Sequence, residues 1–337
     1  MTKTLKRTAT LGAVAWVVLM SAGPALTQAV CAGVSQTFAS TLPAGSTTDP
    51  AQPFSWVAPA GVTSVVVRAR GAEGGLSATQ DGGLGAEVLA TYSVTPGERL
   101  CIVAGVKGAP APPNRGAGGG GGSFVFSSGS SPCVLSNATL ASLRVAAAGG
   151  GGAYEWNAGL PGRATGLGVG ISGAVTATGA AGGGLNGSGG SADVAGGGGG
   201  GGGLFTNGID GVHGRGGRAL TQGAEGGDIN PGGAGLGGFG GGGAGGGGGG
   251  YNGGGGTGGG SGTWPGGGGG SYTSAAPTSA TDGVRSGNGE VTLCYMAAPP
   301  AAVPTLTEWA MIGLTGLLAL CGLAVVERRR RFPASAV

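Results

Sequence analysis

Long runs of glycine set the narrowest limits on how this chain can fold. Residues 196–203 are all glycine, and 240–250 are glycine except for Ala244. In all there are 88 glycines in 337 residues, about four times the usual share of ~7%. Glycine in an α-helix costs roughly 1 kcal/mol per residue relative to alanine, so the stretch from Gly149 to Gly270 cannot be helical. Two solutions remain: a flexible linker, or an ordered array of extended left-handed helices with three residues per turn, which only glycine can pack closely.

Order is the expectation, on three grounds. The tracts carry apolar and aromatic residues that a linker would not need: Tyr154, Trp156, Leu204, Phe205, Phe239, Tyr251, Trp264 and Tyr272. Turn formers interrupt them, as in NPGG (230–233) and GIDG (208–211). A structureless loop of ~120 residues between strands of one domain would also be an improbable element. A collagen triple helix is excluded, because strict Gly-X-Y with abundant proline is missing.

The flanking sequence alternates with the period of strands. VTSVVVRAR (62–70) places Val65, Val67 and Ala69 on one face. AEVLATYSVTPGERLCIVAGV (86–106) reads as two strands joined at Thr95-Pro96-Gly97-Glu98 as a hairpin, proline presetting φ and glycine permitting positive φ. SFVF (123–126), LRVAAA (143–148) and EVTLCYM (290–296) read as further strands. Strands therefore enclose the glycine-rich middle, and the fold class expected is mainly β.

A resemblance rests on FSWVAPAGVTSVVVRARGAEGG (54–75), GGLGAEVLATYSVTPGERLCIVAGVKG (82–108), AGGGGGSFVF (117–126), RVAAAGGGGAY (144–154), GGGGGSYTS (266–274) and GNGEVTLCY (287–295). In this order they resemble the glycine-rich domain found extracellularly in the anaplastic lymphoma kinase and leukocyte kinase receptors and in many bacterial surface proteins, over about residues 37 to 296. That resemblance implies a jelly-roll-like β-sandwich with a large glycine-rich insert packed as polyglycine-II helices. Nothing kinase-like is present, so the receptors' role in binding cytokines is not implied.

Signals for chemistry are sparse. His213, in GVHGRGG (211–217), is the single histidine, which leaves no basis for a histidine-dependent triad or a multi-histidine metal site. Strings of the form G-x-G-x-x-G arise here from composition and none opens a helix. Asp81, Asp210 and Asp282 each precede glycine and read as turn residues, and no calcium-loop pattern appears. Charged residues make up 9% of the chain and the net charge is +3, much of it in the two ends, so no nucleic-acid partner is expected. The expectation is a protein that is not an enzyme and needs no cofactor. Trp156, Trp264, Tyr251 and Tyr272 read first as plugs for gaps at the ends of the glycine rods; the alternative is an adhesin or ligand-binding module that stacks extracellular polysaccharide on them.

The ends give the address. Residues 1–29 have the form of a secretory signal peptide and its helix: basic Lys3, Lys6 and Arg7, an apolar run from Leu11 to Met20, then small residues to Ala29. This implies the Sec translocon as a partner and an oxidising destination for residues 30–296. Cys31, Cys101, Cys133 and Cys294 are then an even set outside the membrane, while Cys321 lies in an apolar helix. Of the three pairings, Cys101 with Cys133 and Cys31 with Cys294 is the one favoured; free thiols or metal ligands are the alternatives.

After an Ala/Pro spacer (297–304), Trp309 to Val326 carry no charge and would form a transmembrane helix (309–326) ~27 Å long. Arg328, Arg329, Arg330 and Arg331 would hold residues 332–337 in the cytoplasm. VPTLTEW (303–309) resembles the IPTL-type C-terminal sorting domain of Gram-negative bacteria, over 303–331. Pro304, Thr305, Leu306 and Trp309 match; Val303 stands where isoleucine is usual and Ala310 where glycine often follows the tryptophan. The resemblance implies an exosortase-like membrane enzyme as partner. It also implies a transient stay in the inner membrane before the cell surface or extracellular space, where a structural role in the matrix is expected.

Overall fold

The computed structural model describes residues 31, 33–46, 53–111, 113–164, 183–192, 197–228, 235–256, 264–297 and 306–331. The signal-peptide reading of 1–29, the NPGG turn, Val303, Pro304, Thr305, most of the spacer and the tail 332–337 lie outside the described residues. The chain divides into two compact units, Met1–Met296 and Ala297–Val337.

Unit one is built on two antiparallel sheets. The strands are β1 (Val34–Ala39), β2 (Phe54–Val57), β3 (Ser64–Arg70), β4 (Gly85–Ser93), β5 (Arg99–Val103), β6 (Ser123–Gly129), β7 (Leu143–Ala147), β8 (Tyr272–Thr273), β9 (Pro277–Arg285) and β10 (Glu290–Tyr295). The first sheet runs β1-β10-β3-β4-β9 and the second β2-β5-β6-β7-β8. Every pair is antiparallel.

Alternation in β3 sends Val65, Val67 and Ala69 inward to a core shared with Val88, Ala90 and Tyr92 of β4, Leu293 of β10, and Trp56, Leu100, Ile102, Val125 and Val145 of the second sheet. On the opposite face of β3, Arg70 lies between Glu87 and Glu290, its partners in register on β4 and β10, at 2.6 and 2.7 Å. The second sheet is buried on both sides. Cys101, Val103, Phe124 and Phe126 point away from the sandwich into a second core with Leu204, Leu220, Phe239, Tyr251 and Tyr272. Burial on both faces explains why LCIV and FVF read as unbroken apolar runs rather than as alternation.

The expected hairpin at Thr95-Pro96-Gly97-Glu98 is corrected. Its turn forms: the Glu98 N–H donates to the Thr95 carbonyl at 2.8 Å and Gly97 has φ +85°. The strands it joins do not pair, however, because β4 belongs to the first sheet and β5 to the second. The apolar sets of β4 and β5 oppose each other across the core, and the turn arches from one sheet to the other. Glu98 braces the arch, accepting from Ser127 Oγ at 2.7 Å, Arg144 Nη2 at 3.0 Å and the Thr95 N–H at 3.0 Å. Desolvation pushes its carboxyl up, but these bonds and the Arg144 charge outweigh it and hold it below the usual carboxylate range.

Residues 277–285, read for turn chemistry at Asp282, instead form the edge strand β9, bulged against β4. Asp282 Oδ1 accepts the Ala164 N–H at 2.6 Å. It bridges the strand to the glycine-rich stretch instead of turning the chain.

The described glycine tracts are buried and bonded through their backbones. Tract 117–122 exchanges N–H···O bonds with 72–75, 106–109, 150–153, 238–242 and 245–249, as in Gly119 to Gly242 (2.8 Å), Gly120 to Gly150 (2.8 Å) and Gly249 to Gly120 (2.9 Å). A strand in a sheet can bond to only two neighbours; this tract bonds in more directions, which requires that no side chain intervene. A Cβ at Gly119 would fall on the Gly247 carbonyl, one at Gly120 on the carbonyls of Ala72 and Glu73, and one at Gly121 on that of Phe239, all under 3.0 Å. Thus the tracts satisfy their buried polar groups mutually, as any buried backbone must.

Two disulfides close the unit, Cys31–Cys294 and Cys101–Cys133. They are the pairing favoured from the sequence. The first ties the segment preceding β1 to β10, and the second encloses tract 117–122 in its loop.

Candidate functional site

The segment that the sequence marks most specifically folds as one helix, α1 (Leu306–Arg331). Trp309–Arg328 has a mean hydropathy of 2.2 over 20 residues and none of it is buried. At 1.5 Å per residue it is about 30 Å long, the thickness of a bilayer's hydrocarbon core. Its apolar side chains, among them Ile312, Leu314, Leu318, Leu320 and Val325, are more than half exposed. Such a surface suits lipid rather than one packed face.

The one hydroxyl in this span is satisfied internally: Thr315 Oγ1 donates to the Met311 and Ile312 carbonyls at 2.8 and 3.0 Å. In a medium without water that is required of any polar group. Leu306 opens the helix, and Trp309, 59% exposed, stands at the start of the apolar span. The backbone of Arg328, Arg329, Arg330 and Arg331 continues the helix to its end. The helix is longer than the 309–326 read from charge, since Glu327 and the arginines are good helix formers and nothing after Val326 breaks the turn.

In unit one the four aromatic residues singled out for stacking do not share one surface. Tyr251 and Tyr272 are buried and stack on each other, ring centroids 4.8 Å apart and planes at 29°, inside the second core. Their burial removes both from the alternative stacking surface. A long tract of glycine leaves gaps that only a few large rings can fill. Trp264 is half-buried, and Trp156 alone of the four is open, at 68%. It sits on a tight turn closed by reciprocal bonds between Tyr154 and Asn157 (2.9 and 3.0 Å) and tied down by Thr79, whose hydroxyl donates to the Glu155 carbonyl.

His213 is exposed, and among the described residues no three His, Cys, Asp or Glu side chains stand close enough to share a metal ion. An open groove of about 610 Å³ is lined by Asp210, Arg215, Arg218, Glu225 and Asp228. Several of its charges are already engaged: Arg218 pairs with Glu225 at 2.8 Å, and Asp210 accepts the Gly216 N–H at 2.8 Å. The groove is therefore structured by its own polar bonds.

Residues 301–331 match the IPTL-CTERM motif. The match begins ahead of the described helix and ends with it at Arg331, so motif, apolar span and arginine run form one segment. The motif marks a C-terminal sorting segment; it implies processing by an exosortase-like enzyme and a C-terminal membrane-anchoring helix. No curated protein matches the chain.

Proposed function

We propose that the chain is an exported, non-enzymatic structural protein of the Gram-negative cell surface or extracellular matrix, delivered through its C-terminal sorting segment. The observation that carries this reading is the IPTL-CTERM match on 301–331, coincident with an apolar helix of membrane-spanning length that ends in arginines. In this reading residues 1–29 are the signal that the Sec translocon uses. The arginines keep the C-terminus in the cytoplasm, α1 holds the chain in the inner membrane transiently, and Val303, Pro304, Thr305, Leu306 and Trp309 are what the processing enzyme recognises. The two disulfides suit an oxidising destination.

The glycine-rich unit is the cargo. We read its sheets as a jelly-roll-like sandwich of the kind resembled in the sequence, and its tracts as polyglycine-II rods. The many-sided backbone bonding of tract 117–122 supports that packing. Rapid amide exchange throughout 197–203 and 240–250 would overturn it.

Intact mass of the protein recovered from the cell surface or medium tests the delivery route. The expected product lacks residues after the motif, with or without the mass of a carrier; a product retaining 307–337 overturns processing there. A second reading, a carbohydrate-binding module, rests on Trp156 alone, since an indole on a rigid turn loses little entropy on stacking. Polysaccharide pull-down with Trp156→Ala checks it, and unchanged retention rejects it.

A further inference from the structure

The four sheet edges of unit one differ in how they are protected. An edge strand presents unpaired N–H and C=O groups to any passing chain, and proteins blunt such edges with shortness, charge, proline or bulges. Strand β8 has two residues and β2 four. Strand β9 has nine, but it opens on Pro277, carries Asp282, and breaks register against β4 in two places.

Strand β1 has none of these guards. Its six residues, VSQTFA, contain no charge, proline or glycine, pair with β10 in unbroken register, and are exposed from Val34 to Thr37. Cys31, bonded to Cys294 on β10, fixes the strand's start, so little conformational entropy remains to be lost when a partner binds. Val34 on the strand is 43% exposed and Phe54 of β2 is 37% exposed, and Phe54 packs on Phe38 of the strand at 5.6 Å between ring centroids. The edge therefore has an apolar fringe.

The order of side chains identifies the partner. From Val34 to Phe38 the residues are apolar, hydroxyl, amide, hydroxyl, apolar, a pattern that reads the same in both directions about Gln36. We propose that β1 is a docking edge for a second copy of this chain, joined by antiparallel strand addition about a twofold axis at Gln36. This register sets Val34 against the partner's Phe38 and Ser35 against the partner's Thr37, and stacks the two Gln36 amides. Side chains keep their faces, because even positions meet even ones and odd meet odd. With no charge on either strand, two copies meet without repulsion. The association fuses two five-stranded sheets into one continuous sheet, an isologous contact that closes at two copies.

The test is sedimentation of the full chain in detergent micelles up to about 100 μM, well above the micromolar Kd expected of a small interface. Wild type is expected to dimerise, and Ser35→Lys with Thr37→Lys to weaken the dimer at least tenfold, since each Lys then opposes another. Both positions are exposed, so an unchanged unfolding temperature will show the fold intact. Gln36→Cys is expected to cross-link two copies on mild oxidation. A wild type that stays monomeric, or a dimer indifferent to the lysines, overturns the proposal; the latter would place the contact on α1 or another surface. A lysine-sensitive dimer in which the Gln36→Cys variant fails to cross-link overturns the twofold at Gln36.

Discussion

In the sandwich, Val65, Val67 and Leu293 are wholly buried because their side chains fill the space between two sheets. In tract 117–122, burial is equally complete, yet apart from the methyl of Ala117 what is buried is backbone. The sandwich gains from the area of side chain removed from water and tolerates small changes of shape. The tracts gain from backbone bonds in many directions, and these exist only while each neighbour can approach to bonding distance. One region fails when side chains are lost; the other fails when they are added.

The sharpest challenge to that contrast is at the seam. Phe239 comes from a glycine tract but is 2% exposed in the core under the second sheet. Phe239→Ala is expected to cost about 4 kcal/mol by denaturant unfolding, and a cost below ~1 kcal/mol would mean the tracts do not need the sheet.

Next is Gly200→Ala, which places a methyl on the Gly190 carbonyl. The expected loss is about 3 kcal/mol, the upper end of overpacking, because backbone rather than a flexible side chain must yield. Unchanged stability would defeat the rigid packing of the tracts.

Within the sandwich, Tyr92 donates or accepts a 2.6 Å bond with Thr273 across the core. Burial is the main reason its phenol is pushed up, from 10.0 to about 12. A raised folded value means that the neutral form stabilises the fold below pH 10 and that this contribution is lost as pH rises toward 12. Tyr92→Phe should flatten the loss in an alkaline melting series, at the expense of the Thr273 bond at neutral pH.

Glu98 gives the opposite sign. Its depressed carboxyl contributes stability above its ordinary titration range, lost as pH falls through the lower folded value. Glu98→Gln should be less stable than wild type at pH 7, with the gap closing in acid. The smallest effect is expected at Gly129, where φ is +63° and a Cβ would meet nothing within 4 Å. Gly129→Ala should cost about 1 kcal/mol, from backbone conformation alone. If it costs as much as Gly200→Ala, steric exclusion is not what distinguishes the tracts.

Part of this was legible beforehand. The period-two run of β3 marked its inward face correctly, because a strand buried on one side must alternate. Export made the four cysteines an even set in an oxidising compartment, but three pairings stayed open, and the favoured one, Cys31 with Cys294 and Cys101 with Cys133, was decided by the fold. The Pro96-Gly97 turn was legible, but its outcome was not: the same four residues can close a hairpin or an arch, and the choice depends on whether β4 and β5 find partners beside each other or opposite. Strand β9 was missed because Pro277, Asp282 and Gly283 are turn residues that an edge can also carry. Tyr251 and Tyr272 read as gap fillers among the glycine rods, but which core they join was not legible, because local sequence does not reveal a core built by segments many tens of residues apart.

Residue order was enough to establish that the middle of the chain cannot be α-helical, that the flanks are strands, and that the C-terminus carries a sorting motif ahead of an apolar helix. Each depends on local properties: glycine's entropy, side-chain alternation, and a run of uncharged residues ended by arginines. Which strands share a sheet, which aromatics are buried, and how each glycine tract finds its bonding partners were settled in three dimensions. Those outcomes depend on contacts between residues distant in the chain, and a glycine has no side chain with which to encode its neighbour.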